Sequence, residues 1–163
     1  MTQEGTTIRR ADKEDLPDLL PLMRAYCDFY RVAPSDADLL ALSRALISDP
    51  EHEGLQLIAR DGDGRPLGFT TLYWSWSTLS AGREGVLNDL YVAPEARGGG
   101  LAESLIEASR TRCREHGAAN MTWQTAKDNR RAQAVYQRIG AERSEWLDFS
   151  LDAGEPRPSR RSS

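Results

Sequence analysis

Asn88-Asp89-Leu90-Tyr91-Val92-Ala93-Pro94-Glu95-Ala96-Arg97-Gly98-Gly99-Gly100-Leu101-Ala102 is the stretch on which the fold turns. It opens as an apolar, β-prone run, breaks at a proline, passes through three consecutive glycines and continues as an amphipathic helix. Glycines let successive N–H groups turn toward one point, and a helix N-terminus adds the positive end of its dipole. Strand, glycine turn and helix in that order build an anion site from backbone alone, so a phosphorylated ligand is the first expectation. A flexible loop that only eases the chain into the helix is the plain alternative. A dinucleotide loop needs G-x-G-x-x-G, and here Glu103 stands where the third glycine belongs.

The rest of the composition limits the partners. A chain of 163 residues, 39% hydrophobic and 28% charged, suits one soluble domain. No run is long and apolar enough to span a bilayer, and Met1-Thr2-Gln3-Glu4-Gly5 lacks the charged-then-apolar start of an export signal. A cytoplasmic protein without a membrane partner is therefore expected. The net charge of −4 argues against nonspecific binding to nucleic acid, which needs a basic face. Cys27 and Cys113 show no metal-ligand spacing and read as free buried thiols on helices, so no metal is expected.

Around the central stretch, the pattern predicts alternating strands and helices. Residues 6–10 read as a short strand. Asp12 caps a helix whose stripe is Leu16, Leu19, Leu20, Met23, Tyr26, Cys27 and Tyr30. One of Pro17 and Pro21 fits a first turn, and the other is expected to kink or break that helix. Ser35 with Asp38 starts a second helix to about residue 47. Residues 55–60 and 67–76 read as strands around Asp61-Gly62-Asp63-Gly64. A strand over 85–92, a helix over 100–116 stopped by Gly117, and a strand over 120–125 follow. A helix over 130–139 closed by Gly140 and a terminal strand over 144–151 complete the series. From residue 153 on, Pro, Arg and Ser dominate, so a folded domain over 1–152 and a disordered tail over 153–163 are expected. This order implies a mixed α/β sheet flanked by helices.

A second block stands out: Lys127-Asp128-Asn129-Arg130-Arg131-Ala132-Gln133-Ala134-Val135-Tyr136-Gln137-Arg138-Ile139-Gly140-Ala141. An Asn opens a helix, a Tyr follows seven residues on, and a Gly closes it. Together with Arg97-x-x-Gly100-x-Ala102, this resembles the GNAT superfamily of acyl-CoA-dependent N-acetyltransferases, over roughly residues 6–151. The resemblance implies the GNAT fold, in which two adjacent parallel strands splay apart and admit acyl-CoA from one side and an amine from the other. It also implies acetyl-CoA as cosubstrate, held by backbone amides of Arg97, Gly98, Gly99, Gly100, Leu101 and Ala102 at the pyrophosphate. In the family, backbone groups at Leu90, Tyr91 and Val92 pair with the pantetheine arm, although Leu90 and Val92 also read as core. Asn129 reads both as a helix N-cap and as a family contact to that arm.

Acetyl transfer from a thioester needs an uncharged amine, donors for the oxyanion and a proton for the departing thiolate. Tyr136 is the expected general acid, because a phenol with a pKa near ~10 is protonated at neutral pH; a core tyrosine is the alternative. Polyamine acetyltransferases, which this strand also resembles, often carry Glu-Asp where this chain has Asn88-Asp89. An amide at Asn88 takes no proton, so the candidate bases are Asp89 or Glu84, directly or through water; a minor neutral fraction of amine that needs no strong base, with both carboxylates a solvated strand end, is the alternative. Because the family often has a bulge here, strand parity does not assign Asn88 and Asp89 to a face. Tyr26, Asp28 and Tyr30, with Tyr73, Trp74 and Asn88, are the expected amine-selecting residues, since aromatic faces and a carboxylate hold cations. Core packing or a dimer contact explains the same aromatics. The branch resembled is that of a histone and polyamine acetyltransferase, whose members are often dimers, so a homodimer acting on a small-molecule amine is expected. A protein lysine or N-terminus is the second acceptor, and a non-catalytic acyl-CoA-binding module is the rival outside enzymes.

Overall fold

The computed structural model describes residues 5–154. Five strands form one sheet in the order β1-β2-β3-β4-β5: β1 Thr7–Arg10, β2 Gly54–Arg60, β3 Pro66–Ser77, β4 Gly82–Val92 and β5 Asn120–Thr122. The first four pair antiparallel, and β4 pairs parallel with β5. Helices α1 Leu16–Phe29 and α2 Asp36–Ser48 cover one face; α3 Leu101–Glu115 covers the other, and α4 Arg130–Arg138 follows β5. This is the mixed α/β sheet flanked by helices that the element order implied. Covering both faces explains why β2 is buried from Gly54 through Ala59 without alternation.

Cross-strand partners sort the side chains. Ile58 and Phe69 pack beneath α1 with Leu19, Leu22 and Met23. Leu57, Leu72 and Leu87 pack on the α3 side with Ile106 and Cys113, and Thr70 meets Ser109 at 3.2 Å. Both cysteines are free and buried. Ser35 caps α2, accepting from the Asp38 N–H at 3.1 Å.

Two expectations are corrected. α1 runs unbroken through Pro21. The ring forfeits one helical hydrogen bond, but Leu19, Leu22 and Met23 on either side of it are anchored in the core. The terminal strand over 144–151 is not formed; that segment is exposed and joins no ladder. Its alternation is real, but a strand exists only against a partner. The expected tail lies outside the described residues from position 155 onward.

Asp15, only 1% exposed, ties the start of α1 to the sheet. Arg9 grips it with two hydrogen bonds of 2.7 Å, and Arg60 of β2 adds one of 2.8 Å while also reaching Asp18. Burial by itself would raise the carboxyl's pKa; the two guanidinium partners and the Asp12 N–H outweigh it, and the pKa is lowered. A carboxyl lowered in the folded state stabilises above its unfolded pKa and loses that contribution as pH falls through the folded value. Asp15→Ala, which leaves Arg60 with Asp18 as its carboxylate partner and deprives Arg9 of its two shortest bonds, should cost ~2 kcal/mol in urea unfolding at neutral pH. The gap to the parent protein should narrow once acid protonates Asp15; a gap of the same size at low pH would refute the ion-pair account.

Candidate functional site

Pairing between β4 and β5 covers only Glu84–Asn120, Gly85–Met121 and Val86–Thr122. β4 then continues to Val92 with no neighbour on that side among the described residues. The parting of these parallel strands opens a cavity of about 380 Å³. Its floor is Leu87, Asn88, Leu90, Tyr91 and Val92 of β4. One wall is the end of α1, with Tyr26, Phe29 and Tyr30; the other is the chain after β5 and α4, with Trp123, Thr125, Asn129 and Tyr136.

A bulge aims the floor residues. Thr71 pairs with Asp89 but Leu72 pairs with Leu87, so Asn88 is one residue too many for β3. The slip places Leu87 and Leu90 on the α3 side, while Asp89 sits opposite Thr71 and Tyr91 packs 6.3 Å from Phe69 on the α1 side. Asn88 itself is exposed at the cavity, and its Nδ2 donates to Asp89 Oδ1 at 3.0 Å. The bulge thus settles the face that strand parity left open.

Asp89 is the electrostatic centre. Burial raises its pKa, and hydrogen bonds from Thr71, Tyr26 and Asn88 offset only part of that. No cation shares in the balance, in contrast to Asp15. Tyr26 donates to the Asn88 carbonyl at 3.4 Å; burial first, then the charge on Asp89, pushes its pKa up. Tyr73 stands behind Asp89, pushed up to about 12 by burial and by that same charge.

The glycine run lies between Arg97 and Ala102, which both line the cavity. Gly98 (φ 86°) and Gly100 (φ 82°) both take left-handed backbone conformations. Gly100 is the N-cap of α3, and no side chain caps that terminus, so its first N–H groups remain available to an anion. Arg97 Nε donates to the Val92 carbonyl at 2.9 Å, and its guanidinium lies 5.9 Å from the Tyr91 ring centre. Arg97 therefore fastens the end of β4 to the loop, and Ala102, in the first turn of α3, lines the cavity. A pyrophosphate fits this arrangement by charge and by backbone geometry.

On α4, Asn129 Oδ1 accepts from the Ala132 N–H at 3.2 Å, which makes it the N-cap and leaves its amide nitrogen for a ligand. Tyr136 packs edge-on against Trp123, ring centres 5.3 Å apart. Its pKa is raised, mainly by burial and secondarily by Tyr30, against a lowering hydrogen bond with Thr125. The phenol is therefore held protonated at neutral pH.

The structure gathers Tyr26, Tyr30, Asn88, Leu90, Tyr91, Val92, Arg97, Ala102, Asn129 and Tyr136 around one cavity. Asp89, Gly98, Gly99, Gly100 and Leu101 stand between lining residues in the chain without lining the cavity themselves, Tyr73 pairs with Val86 away from it, and three more expected residues stand elsewhere. Glu84 lies opposite Ser75 and Asn120, where β4 and β5 are still joined, off the cavity lining. Trp74 packs on the α3 side, stacked 3.9 Å from His116, with its Nε1 donating to the Pro50 carbonyl at 2.8 Å. Asp28 is exposed and off the lining. Sequence reasoning missed Trp123, Thr125, Arg131 and Thr71. The first two lie just past the last paired residue of β5, a position that the splayed strands would have flagged; Thr71 carries no signal of its own.

Comparison with known proteins agrees with this geometry. The model of the Acetyltransferase (GNAT) family matches residues 19–141. The uncharacterized N-acetyltransferase YhfO of Bacillus subtilis (strain 168) is 36% identical over 135 residues, covering 83% of this chain and 89% of that protein. The thialysine N-epsilon-acetyltransferase of Bos taurus is 27% identical over 146 residues, 83% of each chain. A crystal structure of a probable acetyltransferase superposes with a TM-score of 0.77 at 33% identity, covering 92% of this chain and 99% of the other.

Because the folded-state pKa of Asp89 lies above the unfolded one, its ionised form costs stability at neutral pH, and the cost fades as pH falls below the folded value. Asp89→Asn should therefore melt higher than the parent at neutral pH, with the two converging in acid. Calorimetry across that range checks it, and an Asn variant that melts lower at neutral pH would contradict the burial-dominated balance.

Proposed function

This chain belongs to the GNAT family of acetyltransferases and is an acetyl-CoA-dependent acyltransferase; within that class, we propose that it transfers acetyl directly to the primary amine of a small molecule, a polyamine being the favoured acceptor. The observation that carries the reading is the parting of β4 from β5, which opens one cavity lined by Tyr136, by the strand residues on either side of Asp89 and by Arg97 and Ala102, which flank the glycine loop. Bound acetyl-CoA supplies an activated thioester. The amides from Gly98 to Ala102 hold its pyrophosphate, the free edge at residues 90–92 receives the pantetheine arm, and the Asn129 amide adds a donor.

Asp89 draws the proton from the incoming ammonium, and its raised pKa makes it a better base near neutrality than an ordinary carboxylate. Tyr26 and Tyr30 present aromatic faces to the same cation. Tyr136 gives its proton to the departing thiolate, and the burial that raises its pKa keeps that proton available. The thialysine acetyltransferase, by its name, acts on the ε-nitrogen of a small amino acid, which supports a small amine here. The reading includes a homodimer in the cytoplasm, without nucleic acid or membrane partners.

Thiol release from acetyl-CoA, measured against polyamines, other small amines and lysine peptides, tests the acceptor. Turnover with polyamines is expected, and turnover confined to the peptides would overturn it. Tyr136→Phe should lower kcat by ~100-fold while leaving the KM for acetyl-CoA within a few-fold. Full turnover of that variant at every pH would remove Tyr136 from the acid role. Asp89→Asn should lose kcat/KM for the amine by a similar ~100-fold and lose the acid limb of the pH profile.

A further inference from the structure

A row of polar side chains crosses the sheet beneath α1 and ends at Asp89. Gln56 of β2 stands opposite Thr71 of β3, and Thr71 stands opposite Asp89 of β4. Gln56 is 3% exposed and Thr71 0%, on the face that also buries Ile58 and Phe69 against Leu19. Gln56 Nε2 donates to Thr71 Oγ1 at 3.1 Å and to Met23 Sδ of α1 at 3.5 Å. Both N–H bonds of the amide are thus committed, while its Oε1 has no hydrogen-bond partner among the described residues.

An orphaned buried oxygen costs stability, and an apolar side chain of similar length would avoid that cost. What the amide supplies instead is direction. A threonine hydroxyl has one proton to give. The Gln56 N–H occupies an acceptor site on Thr71, so the proton is left for Asp89, which accepts it. Of the three hydrogen bonds that oppose the effect of burial on Asp89, this one is the largest. The titratable side chains around the carboxylate are Tyr26 and Cys27 of α1, with Tyr30 behind Tyr26, and Tyr73 of β3. None of them carries a positive charge, so hydrogen bonds alone offset its burial.

We propose that Gln56 is a positioning residue for the base of the acetyl transfer: by donating to Thr71 it fixes the threonine hydroxyl onto Asp89, and so orients the carboxylate across three strands. Its effect on rate rests on the reading of Asp89 as the base; its effect on the carboxylate does not. Neither Gln56 nor Thr71 lines the cavity, so both act through Asp89 and not on the amine. The sign follows from the bond. Losing a hydrogen bond to the ionised form raises the carboxyl's pKa. The acid limb of kcat/KM, which rises as the base ionises, then moves to higher pH.

Two measurements on Gln56→Met, Thr71→Val and Thr71→Ser test it: NMR titration of the Asp89 carboxyl carbon, and the pH profile of kcat/KM with spermidine as acceptor. Thr71→Val should lower kcat/KM on the acid side by ~10-fold and Gln56→Met by a few-fold, with Asp89 titrating at higher pH in both. Thr71→Ser keeps the hydroxyl and should titrate with the parent. Gln56→Met, relieved of the orphaned oxygen, should melt no lower than the parent. An Asp89 titration unmoved in both Gln56→Met and Thr71→Val would overturn the proposal. So would a Gln56→Met variant that melts lower and titrates like the parent, since it has lost packing only. A titration that moves without the rate profile keeps the positioning and removes Asp89 as the base. If Gln56→Met fails to fold, the Gln56 side-chain amide signals of the parent decide: they should shift along with the Asp89 titration, and signals flat through it would overturn the proposal.

Discussion

Between Leu87 and Asp89 the ladder to β3 slips by one residue, and the chemistry of the cavity depends on that slip. Without Asn88 as an unpaired extra residue, Leu87 and Asp89 would share a face. The carboxylate would then point into the α3 core beside Leu72 and Ile106, where nothing could balance its charge. With the bulge, Asp89 sits opposite Thr71 and within reach of Tyr26, while Leu87 and Leu90 both remain in the apolar layer. A bulge also bends and twists its strand, and here it lies just past the last residue of β4 that still pairs with β5. One inserted residue thus aims the carboxylate at the point where the sheet opens.

A buried carboxylate, Asp15, and a half-buried one, Asp89, show how environment assigns role. Asp15 and Asp89 both suffer from burial, but the partners differ in kind. Asp15 meets two guanidinium groups, which favour its ionised form, and it acts as a fastening between the start of α1 and β1 and β2. Asp89 meets a threonine hydroxyl, a phenol and an amide, which soften the cost of burial without reversing it. A group left with a raised pKa beside an accessible cavity is poised to exchange a proton; one locked between arginines is not.

The parts of the fold that rest on local chemistry were legible in the sequence. Ser35, Gly100 and Asn129 all begin helices as read, because capping depends only on the few residues beside each of them. Features that depend on a partner strand were not. Whether Trp74 faces α3 or the cavity, whether Glu84 lies in the joined or the parted section of β4, and where the bulge falls are properties of register, which one strand does not encode alone. Pro21 failed as a helix breaker for a related reason: its local penalty was real, but the burial of Leu19, Leu22 and Met23 exceeded it. Residues 144–151 have the alternation of a strand and nothing to pair with.

The anchoring of α4 bears on how the cavity works. This helix supplies Asn129 and Tyr136, yet it is held to the rest of the chain mainly by Trp123 and by the ion pair of Arg138 with Glu103 in the first turn of α3. An exposed ion pair contributes little by itself, and a single aromatic contact of this kind adds about 1 kcal/mol. A nine-residue helix with no buried side chain is too short to be stable alone, so its position is set by whatever rests against it. Glu103 and Arg138 link it to the same turn of α3 that presents its amides to the anion. A ligand that fills the cavity therefore rests against both walls at once, α4 on one side and the end of α1 on the other.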